Sequence, residues 1–249
     1  MPRTVEGSLL AIVDKADTIA GMFGLGLEPT GSKDPFALRR AANGIVKILA
    51  ESGAALPLTL DEVSSVSASD AAVAAKVRSF FAERLEFYLR EARGQAYDVV
   101  KAVLAAGSDD VRDAVARAEA VSAVRGSEDF AAVSSAFKRM KNILLQANEK
   151  GFAAGSRVDA ALLTEPTEKA LAERSSELAG RVKVFSAEKN YKAALEQIAT
   201  LRPQVDAFFD AVMVMAPDAE VRANRLALLE KVLGDFSGIA DFSEIVVAG

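Results

Sequence analysis

Apolar residues recur along the chain at helical rather than strand spacing. After Asp34-Pro35, residues Leu38, Ala41, Ala42, Ile45, Ile48 and Leu49 fall on one stripe. Asp34 offers a capping oxygen, Pro35 has the fixed φ suited to a first helical position, and Gly53 ends the pattern. A second helix is predicted over residues 71–93, with Val73, Val77, Phe80, Phe81, Leu85 and Tyr88 facing inward. The same spacing predicts helices over residues 96–105, 108–124, 128–147, 167–187, 191–214 and 218–236. Ser108 and Asp218 read as caps, and Pro203 should kink or restart the long segment that contains it. Val212-Met213-Val214-Met215 suits a strand but is too short to build a sheet. The predicted fold is therefore all-α, a helical bundle with a small N-terminal helical unit.

The predicted boundary lies between residues 53 and 70, where Pro57 and the serine-rich run from Val63 through Ser69 look turn-prone rather than periodic. Residues 1–68 would form the small unit with its linker, and residues 69–249 the larger bundle. Two helices and a loop bury little core by themselves, so the small unit looks incomplete.

Composition narrows the chemistry. The 249 residues are 51% hydrophobic and 26% charged, enough for one large domain or two ordinary ones. There is no cysteine and no histidine, which removes disulfides, thiolate chemistry, Ser-His-Asp triads and imidazole metal sites. Carboxylates, Lys, Arg, Ser, Thr and three Tyr remain, a poor inventory for catalysis, so no catalytic, cofactor-binding or metal-binding residue is expected. No apolar run reaches membrane-spanning length, and Met1-Pro2-Arg3-Thr4-Val5-Glu6 lacks the head and centre of a secretory signal, so a cytoplasmic protein is expected. A net charge of −5 argues against general adhesion to nucleic acid while leaving room for a local basic patch.

Several motifs have a functional and a plainer reading. Gly26, Gly31, Ser32 and Lys33 nearly spell a phosphate-binding loop, but that motif needs Lys followed by Ser or Thr, and strand before loop. A tight interhelical turn is expected instead, with Lys33 free to touch a partner. Asp14 and Asp17 share one side of a helix, and with Lys15 between them a solvated or salt-bridged turn is favoured over a metal pair. Val133, Phe137, Met140 and Leu144 form one helical stripe, which leaves Ser135, Lys138, Arg139, Asn142 and Gln146 as an opposite, donor-rich face. Such a face can be ordinary solvated surface, or it can place cations on phosphates and amides on base edges. Arg222 and Arg225 project to the core side with Leu229, Val232 and Phe236, which suggests pairing with Asp206, Asp210 or the segment 212–215. Tyr88 and Tyr191 could stack on bases but stand at core spacing.

Ala11-Ile12-Val13-Asp14-Lys15-Ala16-Asp17-Thr18-Ile19-Ala20-Gly21-Met22-Phe23-Gly24, running on into Pro29-Thr30-Gly31-Ser32-Lys33-Asp34-Pro35-Phe36-Ala37-Leu38-Arg39-Arg40, closely resembles the beta subunit of bacterial glycyl-tRNA synthetase. Ala136-Phe137-Lys138-Arg139-Met140-Lys141-Asn142-Ile143-Leu144 is similar to that family's Lys-Arg-x-x-Asn-Ile-Leu helix, and Phe208 to Met215 to its C-terminal signature. The resemblance implies the C-terminal portion of a longer chain: the end of an HD-like helical domain, then a DALR-type anticodon-binding bundle. It implies tRNA-Gly, the alpha subunit and the remainder of the beta subunit as partners, with no membrane and no DNA. Glycine activation with ATP and magnesium would belong to the alpha subunit, so this portion would recognise tRNA without catalysing. On the same resemblance Lys138, Arg139, Lys141, Asn142 and Gln146 become candidates for the anticodon arm, and Lys33, Arg39 and Arg40 for RNA backbone. A helical scaffold that holds the alpha subunit without reading RNA is the alternative, and an independent HD-class hydrolase is opposed by the missing histidines.

Overall fold

The computed structural model describes residues 1–52, 56–68 and 70–246; Gly53, expected to end a helix, and Ser69 lie outside them. The helices are α1 (Val5–Gly24), α2 (Leu38–Glu51), α3 (Leu60–Ser67), α4 (Ala71–Phe87), α5 (Tyr97–Ala105), α6 (Val111–Val124), α7 (Glu128–Glu149), α8 (Pro166–Ala187), α9 (Tyr191–Ala199), α10 (Arg202–Ala211) and α11 (Ala219–Phe236). A π turn, Tyr88–Ala92, prolongs α4, and 3-10 turns cover Ala160–Leu162 and Phe242–Glu244. Among the described residues there is no strand beyond an isolated bridge from Thr30 to Lys33. None of the described helices is long and apolar enough to cross a membrane.

Three local expectations need correction, each because a side chain bonds to backbone in a way spacing does not reveal. Asp34 does cap α2, but from four residues ahead: its carboxylate accepts from the Leu38 and Arg39 amides at 2.8 and 3.0 Å. Pro35 thus lies in a turn closed by the Ala37 amide on the Asp34 carbonyl, with Ala37 left-handed at φ 55°, and is not helical. Asp110, not Ser108, caps α6, accepting from the Arg112 and Asp113 amides, while the Ser108 hydroxyl receives Arg78. Val63 to Ser67 of the serine-rich run are helical, in α3, which is started by a capping box in which Thr59 accepts from the Glu62 amide and Glu62 from the Thr59 amide. Pro203 behaves as expected, standing in the first turn of α10 after α9 has ended.

The chain divides into two compact units, residues 1–100 with 107–118, and residues 101–106 with 119–249. The division expected between 68 and 69 falls inside the first unit. There α1, α2, α3 and α4 pack together, burying Ile12, Ile19, Ile45, Leu49, Leu60, Phe81 and Leu85. Phe23 of α1 meets Phe80 of α4 with ring centroids 5.2 Å apart, so the helix expected to open a separate bundle completes the N-terminal core instead.

The second unit is built from α7 to α11. Its aromatic centre is Phe242, which meets Phe130 and Phe137 edge to face at 5.6 and 5.5 Å. Polar atoms are buried there too. The Glu168 side chain has no exposed surface and Arg225 only 9%, and Arg225 Nε donates to Glu168 Oε1 at 2.6 Å. The other carboxylate oxygen accepts from the Glu165 amide, capping α8, and from the Thr164 hydroxyl. Arg225 also donates to the Met213 carbonyl at 2.9 Å, while Arg222 donates to the Ala216 and Pro217 carbonyls and lies over the Phe152 ring. Arg225 therefore binds the segment 212–215, as the sequence suggested, whereas Arg222 binds the two residues just beyond it, and the carboxylate is Glu168 rather than Asp206 or Asp210.

Two outcomes follow from this pair. Glu168→Gln leaves the Arg225 charge buried without its counter-ion, and should lower unfolding free energy by about 3–5 kcal/mol in denaturant titrations. A loss below about 1 kcal/mol would show that the pair is expendable. Burial raises the Glu168 pKa, but the Arg225 and Glu165 hydrogen bonds outweigh it and hold the carboxyl below its ordinary 4.5. A depressed carboxyl contributes stability that is full above that value and is lost as pH falls through the folded one. The urea midpoint should thus be level above roughly pH 5 and decline below about pH 4, less steeply in Glu168→Gln.

Candidate nucleic-acid interface

Helix α7 carries the candidate surface. It starts at Ser127, whose hydroxyl accepts from the Phe130 amide, with Glu128 and Asp129 in the first turn, where acids suit the helix dipole. Phe130, Val133, Phe137 and Met140 are buried along one stripe, and Leu144 is half-buried at its end. The stripe leaves Ser135, Lys138, Arg139, Asn142 and Gln146 exposed, together with Leu145. No ion pair or side-chain hydrogen bond joins Lys138, Asn142 or Gln146 to another described residue. The Arg139 guanidinium carbon lies over the Phe209 ring of α10, 4.0 Å from its centroid.

Lys141 is set apart from its neighbours. Half-exposed, it turns to the 3-10 turn at the end of the unit and bonds Asp241 at 2.7 Å, Ser243 at 3.1 Å and Glu244 at 3.6 Å. The hydrogen bond to Asp241 holds its pKa above the ordinary lysine value despite partial desolvation. Burial alone would raise the Asp241 carboxyl, yet Lys141 and Ser243 keep it below its ordinary value. Lys141 is a tie between α7 and the C-terminal turn, its charge already matched.

Lys33, Arg39 and Arg40 belong to the first unit, whereas the α7 face belongs to the second. Lys33 and Arg40 are exposed and Arg39 is half-buried. The segment before Lys33 is helix, not strand. Helix α1 ends with the Leu27 and Gly26 amides bonded back to the Met22 and Phe23 carbonyls, Gly26 adopting φ 72° as such a terminus requires. The Thr30 and Lys33 amides and carbonyls then bond one another, with Gly31 at φ 51° between them. These amides are committed to the turn and form no phosphate cradle.

Asp14 and Asp17 are both exposed, and no group of three or more Asp or Glu side chains gathers as a metal site among the described residues. Tyr88 and Tyr191 are buried, each 7% exposed, so neither offers a ring to a ligand. Sequence reasoning passed over Phe209 as a partner for this face. Its signal was present: Val205 and Phe208 occupy the core stripe of α10, and a second phenylalanine one residue beyond must emerge from it.

The family model described as glycyl-tRNA synthetase beta subunit matches residues 1–105, and that described as DALR anticodon binding domain matches residues 133–235. The second range takes in α8, α9 and α10, nearly all of α11, and α7 from Val133 onward, with the whole candidate face. Among curated relatives, the glycine–tRNA ligase beta subunit of Acidobacterium capsulatum is 60% identical across the full chain, which spans 36% of that relative. The one from Desulforudis audaxviator is 42% identical over 98% of the chain and 36% of the relative, and the one from an Anaeromyxobacter species 43% identical over 98% and 35%. The chain thus spans about a third of the length of the curated relatives it matches. With both family models accounting for its two regions and such identity running from end to end, the chain belongs to the family of glycyl-tRNA synthetase beta subunits.

Proposed function

We propose that this chain is the tRNA-recognition part of a cytoplasmic glycine–tRNA ligase. It binds tRNA-Gly through the anticodon arm and does not itself catalyse. Glycylation, with ATP and magnesium, is then the work of the alpha subunit, alongside the remainder of the beta subunit. The observation that carries this reading is the unspent donor face of α7, lying inside the region similar to anticodon-binding domains. Lys138 neutralises phosphate, and Asn142 and Gln146 offer paired amide donors and acceptors to base edges. Lys33, Arg39 and Arg40 contact RNA backbone. Lys141, held by Asp241, supports the face from behind.

Because the whole chain carries a net charge of −5, binding depends on this local patch and weakens with salt. In fluorescence titrations, Lys138→Ala should weaken tRNA-Gly and unrelated tRNAs alike and flatten the plot of log affinity against log salt by about 0.7–0.9. Asn142→Ala should instead erode the preference for tRNA-Gly over an anticodon-swapped tRNA by about 1–3 kcal/mol. Wild-type protein that captures purified alpha subunit but no tRNA would establish the scaffold in place of the reader.

A further inference from the structure

Arg139 is held differently from the acid-paired arginines of its unit. Arg174 and Arg181 bond Glu177, Arg202 bonds Glu128 and Asp129, and Arg225 bonds Glu168. Arg139 has no carboxylate or carbonyl on its N–H groups among the described residues; its contact is the face of Phe209. Phe209 is in turn braced by Phe208, which has no exposed surface and meets it at 5.3 Å with the rings inclined at 73°. Phe208, Phe209 and Arg139 thus form a chain of contacts that runs from the core to the surface and ends in an exposed cation.

A guanidinium resting on an aromatic ring keeps one π face open and its donors in plane, and its rotamer freedom has already been given up. A lone phosphate contact requires none of this, since a mobile lysine serves as well. Unpaired RNA bases, by contrast, stack on guanidinium planes and on aromatic rings. Asn142 stands three residues further along α7, one turn from Arg139 on the same exposed side.

We infer that Arg139 is a base-stacking residue: its open face takes one unpaired base of the anticodon loop, and Phe209 fixes the plane on which that base rests. This rests on the anticodon-arm reading above and replaces the expectation of a simple phosphate contact at this position.

The test uses the 249-residue chain, full-length tRNA-Gly, and a tRNA-Gly anticodon stem-loop with 2-aminopurine at successive loop positions. Wild type should bind both RNAs and quench the fluorophore at one position. Arg139→Lys keeps the charge and loses the plane. It should weaken the stem-loop by about 5- to 100-fold, abolish the quenching, and leave the salt slope unchanged. Phe209→Leu should move affinity and quenching in the same direction. Arg139 is exposed and Phe209 half-buried, so circular dichroism melts check that each variant folds. If Arg139→Lys binds and quenches as wild type does, while Arg139→Ala reduces the salt slope by about 0.7, Arg139 serves phosphate and the inference fails, although the tRNA reading stands. If wild type binds no tRNA, both fail.

Discussion

A carboxylate with no exposed surface is costly unless its lone pairs are used, and in the second unit Glu168 uses them on three donors from two chain segments. Arg225 reaches it from α11, the Glu165 amide from the start of α8, and the Thr164 hydroxyl from the connection before it. Arg225 then spends another donor on the Met213 carbonyl, just beyond the end of α10. The opposite end of α10 is held by Arg202, which bonds Glu128 and Asp129 in the first turn of α7. With α10 fixed at both ends beside α7, Phe209 has little choice but to lie where Arg139 covers it. The geometry of the exposed face thus depends on an ion pair that contributes nothing to it directly.

Charge is distributed by the same economy. Many basic side chains of this acidic chain are neutralised locally, some by neighbours one helical turn away, such as Arg181 with Glu177, and some by distant residues, such as Lys141 with Asp241. The candidate face on α7 is small: Lys138, Arg139 on its ring, and the amides of Asn142 and Gln146. An acidic molecule with a confined patch of this kind meets polyanions in one orientation rather than many, which favours register over raw affinity.

The helices, the inner stripes of α2 and α7, and the inward turn of Arg222 and Arg225 were legible because a 3.6-residue period reports burial directly. What escaped was set by atoms that periodicity does not describe. The serine run from Val63 reads as linker because serines have modest helix propensity, yet the Thr59–Glu62 box starts a helix that reaches Ser67. Lys141 looked equivalent to Lys138, and only a residue a hundred positions away separates them. Glu168 drew no notice beside Asp206 and Asp210, because its role comes from a fold in which α8 and α11 meet. The candidate face itself could be outlined from α7 alone, but not its aromatic floor, which comes from another helix.

The border between the two units is crossed three times by the chain, at residues 100–101, 106–107 and 118–119, and two of these crossings fall within α5 and α6 rather than in loops. Neither unit is therefore a contiguous stretch of coding sequence. A single recombination breakpoint cannot hand either one intact to another protein, and any exchange must carry α5 and α6 with it. The two units are in this sense inherited as one piece.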